Sequence, residues 1–339
     1  MTPLCSYLQK SWCSTRLMTE SSHRVLETPT TTPEVAAFFD VATSTLTYVV
    51  TSPETKRCAI IDPVLDYDES SAAVSTESAD TVARYVLEND LRVDYILETH
   101  VHADHLSGAH YLRQHLGGLI GIGAETIGVQ SAVAAIYSDV SPLARDGSHF
   151  DVLLEDERKL AFGSLDIRTL HVPGHTPACV AYLIGDALFA GDTLFMPDSG
   201  TARCDFPGGD ARSLYRSIQR LFRLPDATRV FVCHDYQPNG RSLQYVAPIK
   251  THRDRNIHVN RTVSEASFVT MRSQRDAGLG TPKLMLPSLQ VNVRGGTLPR
   301  HPTTGEPFLY LPLNKLGAAG TRNIEDIFPR QNENVDFID

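Results

Sequence analysis

The run Thr99-His100-Val101-His102-Ala103-Asp104-His105 comes just after a short apolar stretch, Val93–Leu97. Three imidazoles and a carboxylate this close together are ligands that suit zinc or ferrous iron. The spacing has a geometric sense. An extended chain puts His100 and His102 on the same side, because side chains alternate with period two. The turn that follows brings Asp104 and His105 back toward the same point. A polar helix-capping loop would explain Asp104 but not the three rings, in a chain with 13 histidines among 339 residues.

Three shorter signals add to the motif: Pro173-Gly174-His175-Thr176-Pro177, Ala190-Gly191-Asp192-Thr193 and Cys233-His234-Asp235-Tyr236. Singly, each is ordinary turn or surface chemistry. Together they share one feature, since each follows a predicted strand. Loops after strands can converge on one edge of a layered sheet structure. His110, His115, His149 and His171 lack such placement and read as surface or packing residues.

The elements that must carry these loops alternate along the chain. Thr45–Val50 and Arg57–Ile61, separated by Ser52-Pro53-Glu54, predict a hairpin. Helical spacing covers Ala79–Glu88, His105–His115 and Asp210–Phe222, and a further helix is expected near Ser264–Arg275. Strands are expected at Val93–Leu97, Gly117–Gly123, Leu165–Val172, Cys179–Ile184 and Arg229–Cys233. Two runs of β then α around a strand-rich middle predict an α+β fold of packed sheets covered by helices. Residues 1–33 read as a disordered or targeting tail, 34–250 as the catalytic domain, and 251–339 as an extension packing on that domain. Residues 280–339 read as irregular.

Composition narrows the field. Lys and Arg total 31 against 40 Asp and Glu, a net charge of −9. That acidic balance argues against a nucleic-acid partner. No apolar run approaches the ~18 residues of a membrane span. Six Cys without a C-x-x-C pair argue against a disulfide framework or a zinc ribbon. Cys204 and Cys233 flank the supposed site and are expected to be buried rather than reactive. Leu4, Leu8 and Trp12 beside Lys10 and Arg16 allow a short amphipathic targeting helix. The expected location is cytoplasmic, or the mitochondrial matrix if residues 1–18 are a transit segment. A homodimer is a common state for such domains.

The set His-x-His-x-Asp-His, Pro-Gly-His-Thr, Gly-Asp and a late His resembles the metallo-β-lactamase superfamily over residues 35–240. The resemblance implies an αββα sandwich with metal at the sheet edge. Ser199–Phe206, Pro287–Arg294 and Cys233–Tyr236 look like the persulfide (sulfur) dioxygenase branch, and more closely its bacterial β-lactamase-like hydrolase subgroup. That branch implies one Fe(II) on two histidines and an aspartate, which carry over to His100, His175 and Asp192. His102, Asp104, His105 and His234 then orient those ligands and hold water. In the alternative, all seven side chains hold two Zn(II).

The dioxygenase resemblance implies that glutathione persulfide and O2 are converted, with water, to sulfite and glutathione. Glutathione carries two carboxylates, for which a planar arginine is the natural clamp. Arg203 is the expected clamp, with Tyr236 and Asn292 as further substrate contacts. An ion pair with Asp205 is the competing role for Arg203, and a hydrogen-bonding role in its loop the competing one for Asn292. Three functions stay open: the iron persulfide dioxygenase, a dizinc thioester hydrolase of the glyoxalase II type, and a metal- or thiol-sensing protein without catalysis.

Overall fold

In the paired strands Thr45–Ser52 and Arg57–Ile61, alternate side chains go to two different cores, and this period-two division sets the layers. The computed structural model describes residues 32–137 and 143–313, which belong to one compact unit. Its first half runs β1 Glu34–Asp40, β2 Thr45–Ser52, β3 Arg57–Ile61, β4 Val64–Asp68, β5 Ala73–Ser75, α1 Glu77–Glu88, β6 Arg92–Leu97, β7 Leu106–Ser107, α2 Ala109–Leu116, β8 Leu119–Gly123, α3 Thr126–Tyr137 and β9 Val152–Leu154. Then follow β10 Lys159–Phe162, β11 Leu165–His171, β12 Val180–Ile184, β13 Ala187–Phe189, α4 Ala211–Leu221, β14 Arg229–Phe231, β15 Val246–Pro248, α5 Ile249–Arg255, α6 Glu265–Asp276 and α7 Met285–Asn292.

One sheet has the order β1-β2-β3-β6-β8-β9, the other β10-β11-β12-β13-β14-β15, and β5-β4-β7 form a small third sheet. Leu46, Tyr48, Ala59 and Ile61 meet Phe162, Tyr182 and Phe189 between the two large sheets. Val49, Cys58 and Ile60 face the other way, toward Val82, Val86 and Leu112 of α1 and α2. Behind the second sheet, Leu188 and Val230 pack on Leu214, Ile218 and Phe268 of α4 and α6. The layers are therefore αββα, as expected. Two buried phenols stitch the sheets together: Tyr48 donates to the Val232 carbonyl at 2.6 Å, and Tyr182 to that of Glu98 at 2.7 Å.

Most expected elements are present, with three corrections. The helix expected at His105–His115 begins only at Ala109, because Leu106 and Ser107 pair instead with Leu65 and Val64. Residues expected to be irregular contain α7, whose Pro287 lies in the first turn, where its missing N–H costs little. α3 gave no helical stripe because apolar residues fall all around it. The amphipathic stretch at residues 1–18 lies outside the described residues, as does the polar segment as far as residue 31. Residues 314–339 of the C-terminal extension lie outside them too. No helix among the described residues is long and apolar enough to cross a membrane.

The Pro173-Gly174-His175 turn shows how closely backbone positions the site. Gly174 has φ +149°, and a Cβ there would sit 2.3 Å from Leu214 Cα. Its carbonyl accepts from the Asp210 N–H at the start of α4, at 2.8 Å. Gly174→Ala is therefore expected to destabilise the protein by more than about 2 kcal/mol, read as a lower urea midpoint with unchanged slope.

Candidate metal centre

The four site loops meet at one edge of the sandwich. Thr99 and His100 leave the end of β6, His175 follows β11, Asp192 follows β13 and His234 follows β14. Backbone bonds fix the junctions. The Val180 N–H donates to the Thr99 carbonyl at 2.9 Å, and that of Leu46 to the Cys233 carbonyl at 2.8 Å. His100, His102, His105, His175 and His234 are all buried.

Each ring is held by the nitrogen that faces away from the centre. His175 Nδ1–H donates to the Arg203 carbonyl at 2.8 Å, and His105 Nδ1–H to that of Leu106 at 3.1 Å. His100 Nδ1 lies 3.1 Å from Thr99 Oγ1, and His234 Nδ1 lies 3.3 Å from the Ser44 carbonyl. His102 is turned the other way round, with Nε2 3.0 Å from Asp62 Oδ1 and 3.3 Å from Glu98 Oε2. The inward atoms are His100 Nε2, His102 Nδ1, His105 Nε2, His234 Nε2 and Asp192 Oδ1. All are buried, and none makes a hydrogen bond.

Buried polar atoms without partners are rare and call for an explanation. Five at one spot, four of them imidazole nitrogens, are explained by a cation. His100, His175 and Asp192 form one cluster with donor atoms within 4.8 Å of one another, and His102, Asp104 and His105 form another. Asp192 and His234 lie between the two: His234 Nε2 is 3.3 Å from Asp192 Oδ1 and 3.2 Å from Asp104 Oδ2. All seven predicted side chains are thus brought together, and they fit a metal.

The electrostatics agree. Burial and the neighbouring histidines push His100 far below the ordinary imidazole range, and burial takes His105 down to about 4. Neutral rings are what a metal requires. His102 goes the other way, because Asp62 and Glu98 outweigh its burial. Both of those carboxylates went unread in the sequence. Asp62 accepts from Thr99 N–H at 2.7 Å and from Thr99 Oγ1 at 2.8 Å, so one buried carboxylate orients His102 directly and His100 through Thr99. Ser107 Oγ donates to Glu98. The available signal was the position of Asp62, just past a strand in the same sheet.

The expected substrate contacts are dispersed. Tyr236 is half exposed and stacks on His234, centroids 5.7 Å apart, where it lines a cavity of about 420 Å³ with Phe195, Phe206, His175 and Asp192. Arg203 lines the same cavity, but Nε and Nη2 are both bonded to Asp205 at 2.6 Å and Nη1 to the Gly280 carbonyl at 2.8 Å. Asn292 requires a correction. It lies on α7, buried, and its Nδ2 donates to the carbonyls of His102 and His105, each at 2.8 Å. Its Oδ1 accepts from Ser107 N–H at 2.8 Å. With its amide spent, it shapes the metal loop and has nothing left for a substrate. Cys204 and Cys233 are buried, and burial pushes both thiols above their ordinary range.

The family model of the metallo-beta-lactamase superfamily matches residues 41–234, more than half the chain. The chain belongs to this superfamily. A probable metallo-hydrolase of Burkholderia pseudomallei is 49% identical over 292 residues, 83% of this chain and 99% of that protein. A glyoxylase B2 of Dictyostelium discoideum is 43% identical, over 84% of this chain and 98% of its own length. The human mitochondrial persulfide dioxygenase ETHE1 is 29% identical, over 58% of this chain and 66% of its own. Among solved structures, ETHE1 from Myxococcus xanthus superposes with a TM-score of 0.63 at 29% identity, covering 78% of this chain and all of that one. These likenesses support the persulfide dioxygenase and hydrolase-like branch of the superfamily.

The role of Asn292 is open to direct test. Asn292→Ala leaves two buried carbonyls and an N–H without their partner, and the metal loop loses its brace. Metal affinity is expected to fall roughly 10–100-fold, as for other groups that orient ligands. Asn292→Asp, which cannot donate to the two carbonyls, is expected to lose at least as much. Metal retained after dialysis against graded chelator reads both.

Proposed function

We propose that this protein is a non-haem Fe(II) persulfide dioxygenase, which converts glutathione persulfide, O2 and water to sulfite and glutathione, in sulfide detoxification. The observation that carries the reading is the buried His100–His175–Asp192 cluster, two neutral donors and one anion, in a fold that superposes on ETHE1. Such a set suits ferrous iron. Such an ion, held by these three residues, would supply redox chemistry between a persulfide sulfur and O2.

The chain's own part is positioning. The Arg203 carbonyl and the Thr99 hydroxyl hold the proton-bearing nitrogens of His175 and His100, leaving Nε2 of each ring facing inward. Phe206 stands edge-on to His175 at 5.1 Å, and Phe195 edge-on to Tyr236 at 5.7 Å. These rings give the cavity apolar walls that keep bulk water off the reacting sulfur. In this reading His102, Asp104, His105 and His234 orient ligands and bound water.

A second reading, a dinuclear zinc hydrolase of glutathione thioesters, is favoured by the second cluster at His102, Asp104 and His105. The names of the more similar relatives favour it as well. Metal analysis of protein purified without air, followed by oxygen uptake with glutathione persulfide, separates the two. One iron per chain with uptake is expected. Two zinc ions, thioester hydrolysis and no uptake would replace the proposal with the hydrolase. His105→Ala sharpens the test: it is expected to keep its iron and lose roughly 10–100-fold in activity, whereas His100→Ala, His175→Ala and Asp192→Ala lose both. A His105→Ala protein that binds no metal anaerobically would sink the one-iron assignment.

A further inference from the structure

Three arginines line the 420 Å³ cavity that opens on His175 and Asp192: Arg203, Arg272 and Arg275. Two are already neutralised within the protein. Arg203 is locked to Asp205 through both ends of its fork. Arg272 is buried, with Nε and Nη2 on Asp276 Oδ1 at 2.8 and 2.6 Å and Nη1 on the Thr201 carbonyl at 3.1 Å. Arg275 lies three residues further along α6. It is exposed, and its guanidinium makes no ion pair or hydrogen bond among the described residues.

The other charged groups on the cavity wall do not answer it. Asp104 and Asp192 face the metal cluster and its histidines. His258, whose Nδ1 accepts from the Thr201 N–H at 3.0 Å, is neutral: burial, Arg272 and Arg275 together take it down to about 4. Among the described residues, the cavity therefore has a metal-binding end and one planar cation without a carboxylate partner, in a volume typical of small-molecule sites. An anion bound at Arg203 would have to displace a bidentate carboxylate. At Arg275 it displaces only water.

We infer that Arg275 is the carboxylate-binding residue of this site, receiving the acid group of a glutathione-type thiol carrier whose sulfur reaches the metal cluster. The inference rests on the glutathione carrier of the proposed function, and it holds whether the sulfur is oxidised or an acyl group is released. It also moves the clamp expected at Arg203 onto a residue that is free to act as one.

Calorimetric titration of glutathione into the metal-loaded protein tests it without turnover. Arg275→Ala is expected to weaken binding by about tenfold or more, the usual consequence of removing one charge-assisted bond. Arg275→Lys should recover part of the loss, since a point charge replaces a fork. Glutathione esterified at its glycine carboxylate identifies the acid group. If the ester binds the wild type weakly and ignores Arg275→Ala, the glycine end is held; if the Arg275 effect survives in the ester, the γ-glutamyl end is held. Equal affinity of the wild type and Arg275→Ala for glutathione would overturn the inference, as would a wild type that binds none at millimolar concentration. The dioxygenase reading fails separately, by absence of oxygen uptake in the wild type.

Discussion

A neutral imidazole carries its proton on one nitrogen and its lone pair on the other, and a fixed acceptor beside the N–H decides which nitrogen faces a metal. That condition governs this site. Backbone carbonyls of Leu106, Arg203 and Ser44 serve His105, His175 and His234, and Asp62 serves His102. None of these acceptors is itself a metal-ligand side chain, and all lie in or beside the strands and loops of the sheet edge. The sandwich is what brings them there. With backbone carbonyls behind His105, His175 and His234, the inward Nε2 atoms of these rings are committed to the centre before any ion arrives, which is the sense in which the site is preorganised.

Asp62 is the point where the two large sheets and the metal loop meet. It stands one residue past β3 with φ +50°, a left-handed conformation that Asp tolerates better than most residues. Its N–H donates to the Leu97 carbonyl at the end of β6. Its carboxylate then takes the Thr99 N–H and hydroxyl, the His102 ring and, at 3.6 Å, the Cys233 thiol from the second sheet. Burying one carboxylate is costly unless it is fully hydrogen-bonded, and here its several donors keep it below the ordinary carboxylate range against that burial. Asn292 on α7 braces the same loop through the His102 and His105 carbonyls, so the metal motif is tied both to a strand end and to a helix nearly 200 residues later in the chain.

The ligand motif was legible because its information is local. The His-x-His-x-Asp-His spacing puts four ligand side chains in one short loop, although that loop lies past the end of β6 and not within the strand, and Pro-Gly-His and Gly-Asp mark turns after strands. The layered fold was legible for the same reason, since β2, β3, β6, β11 and β12 carry their own periodicity. What was not legible depends on partners distant in sequence. Arg203 and Asn292 are both the right residue type for a substrate contact, and only the folded chain shows Arg203 engaged by Asp205 and Asn292 by two carbonyls of the metal loop. Asp62 and Glu98 look like ordinary acids at strand ends until β3 and β6 pair. α7 was hidden by its own burial: nearly every residue in it is enclosed, so no polar face reveals the helical period.

The one-iron and two-zinc readings differ less in which residues are present than in how tightly each is held. His102 is the discriminating ring. Its Nε2 faces two carboxylates, while its Nδ1 faces inward without a partner. A single proton on Nε2 leaves Nδ1 free to bind a cation; protonation of both nitrogens makes the ring a cation that itself balances Asp62 and Glu98. The first state adds a ligand next to His100 and His175. The second removes His102 from the ligand set and leaves His100, His175 and Asp192 as a three-residue face. Asp62 and Glu98 pull the ring toward its charged form, and a cation at Nδ1 would oppose that charge, so a second proton and a metal ion exclude each other at this nitrogen. In this protein Asp62 and Glu98, the carboxylates behind His102, therefore bear on the metal centre as directly as the ring itself does.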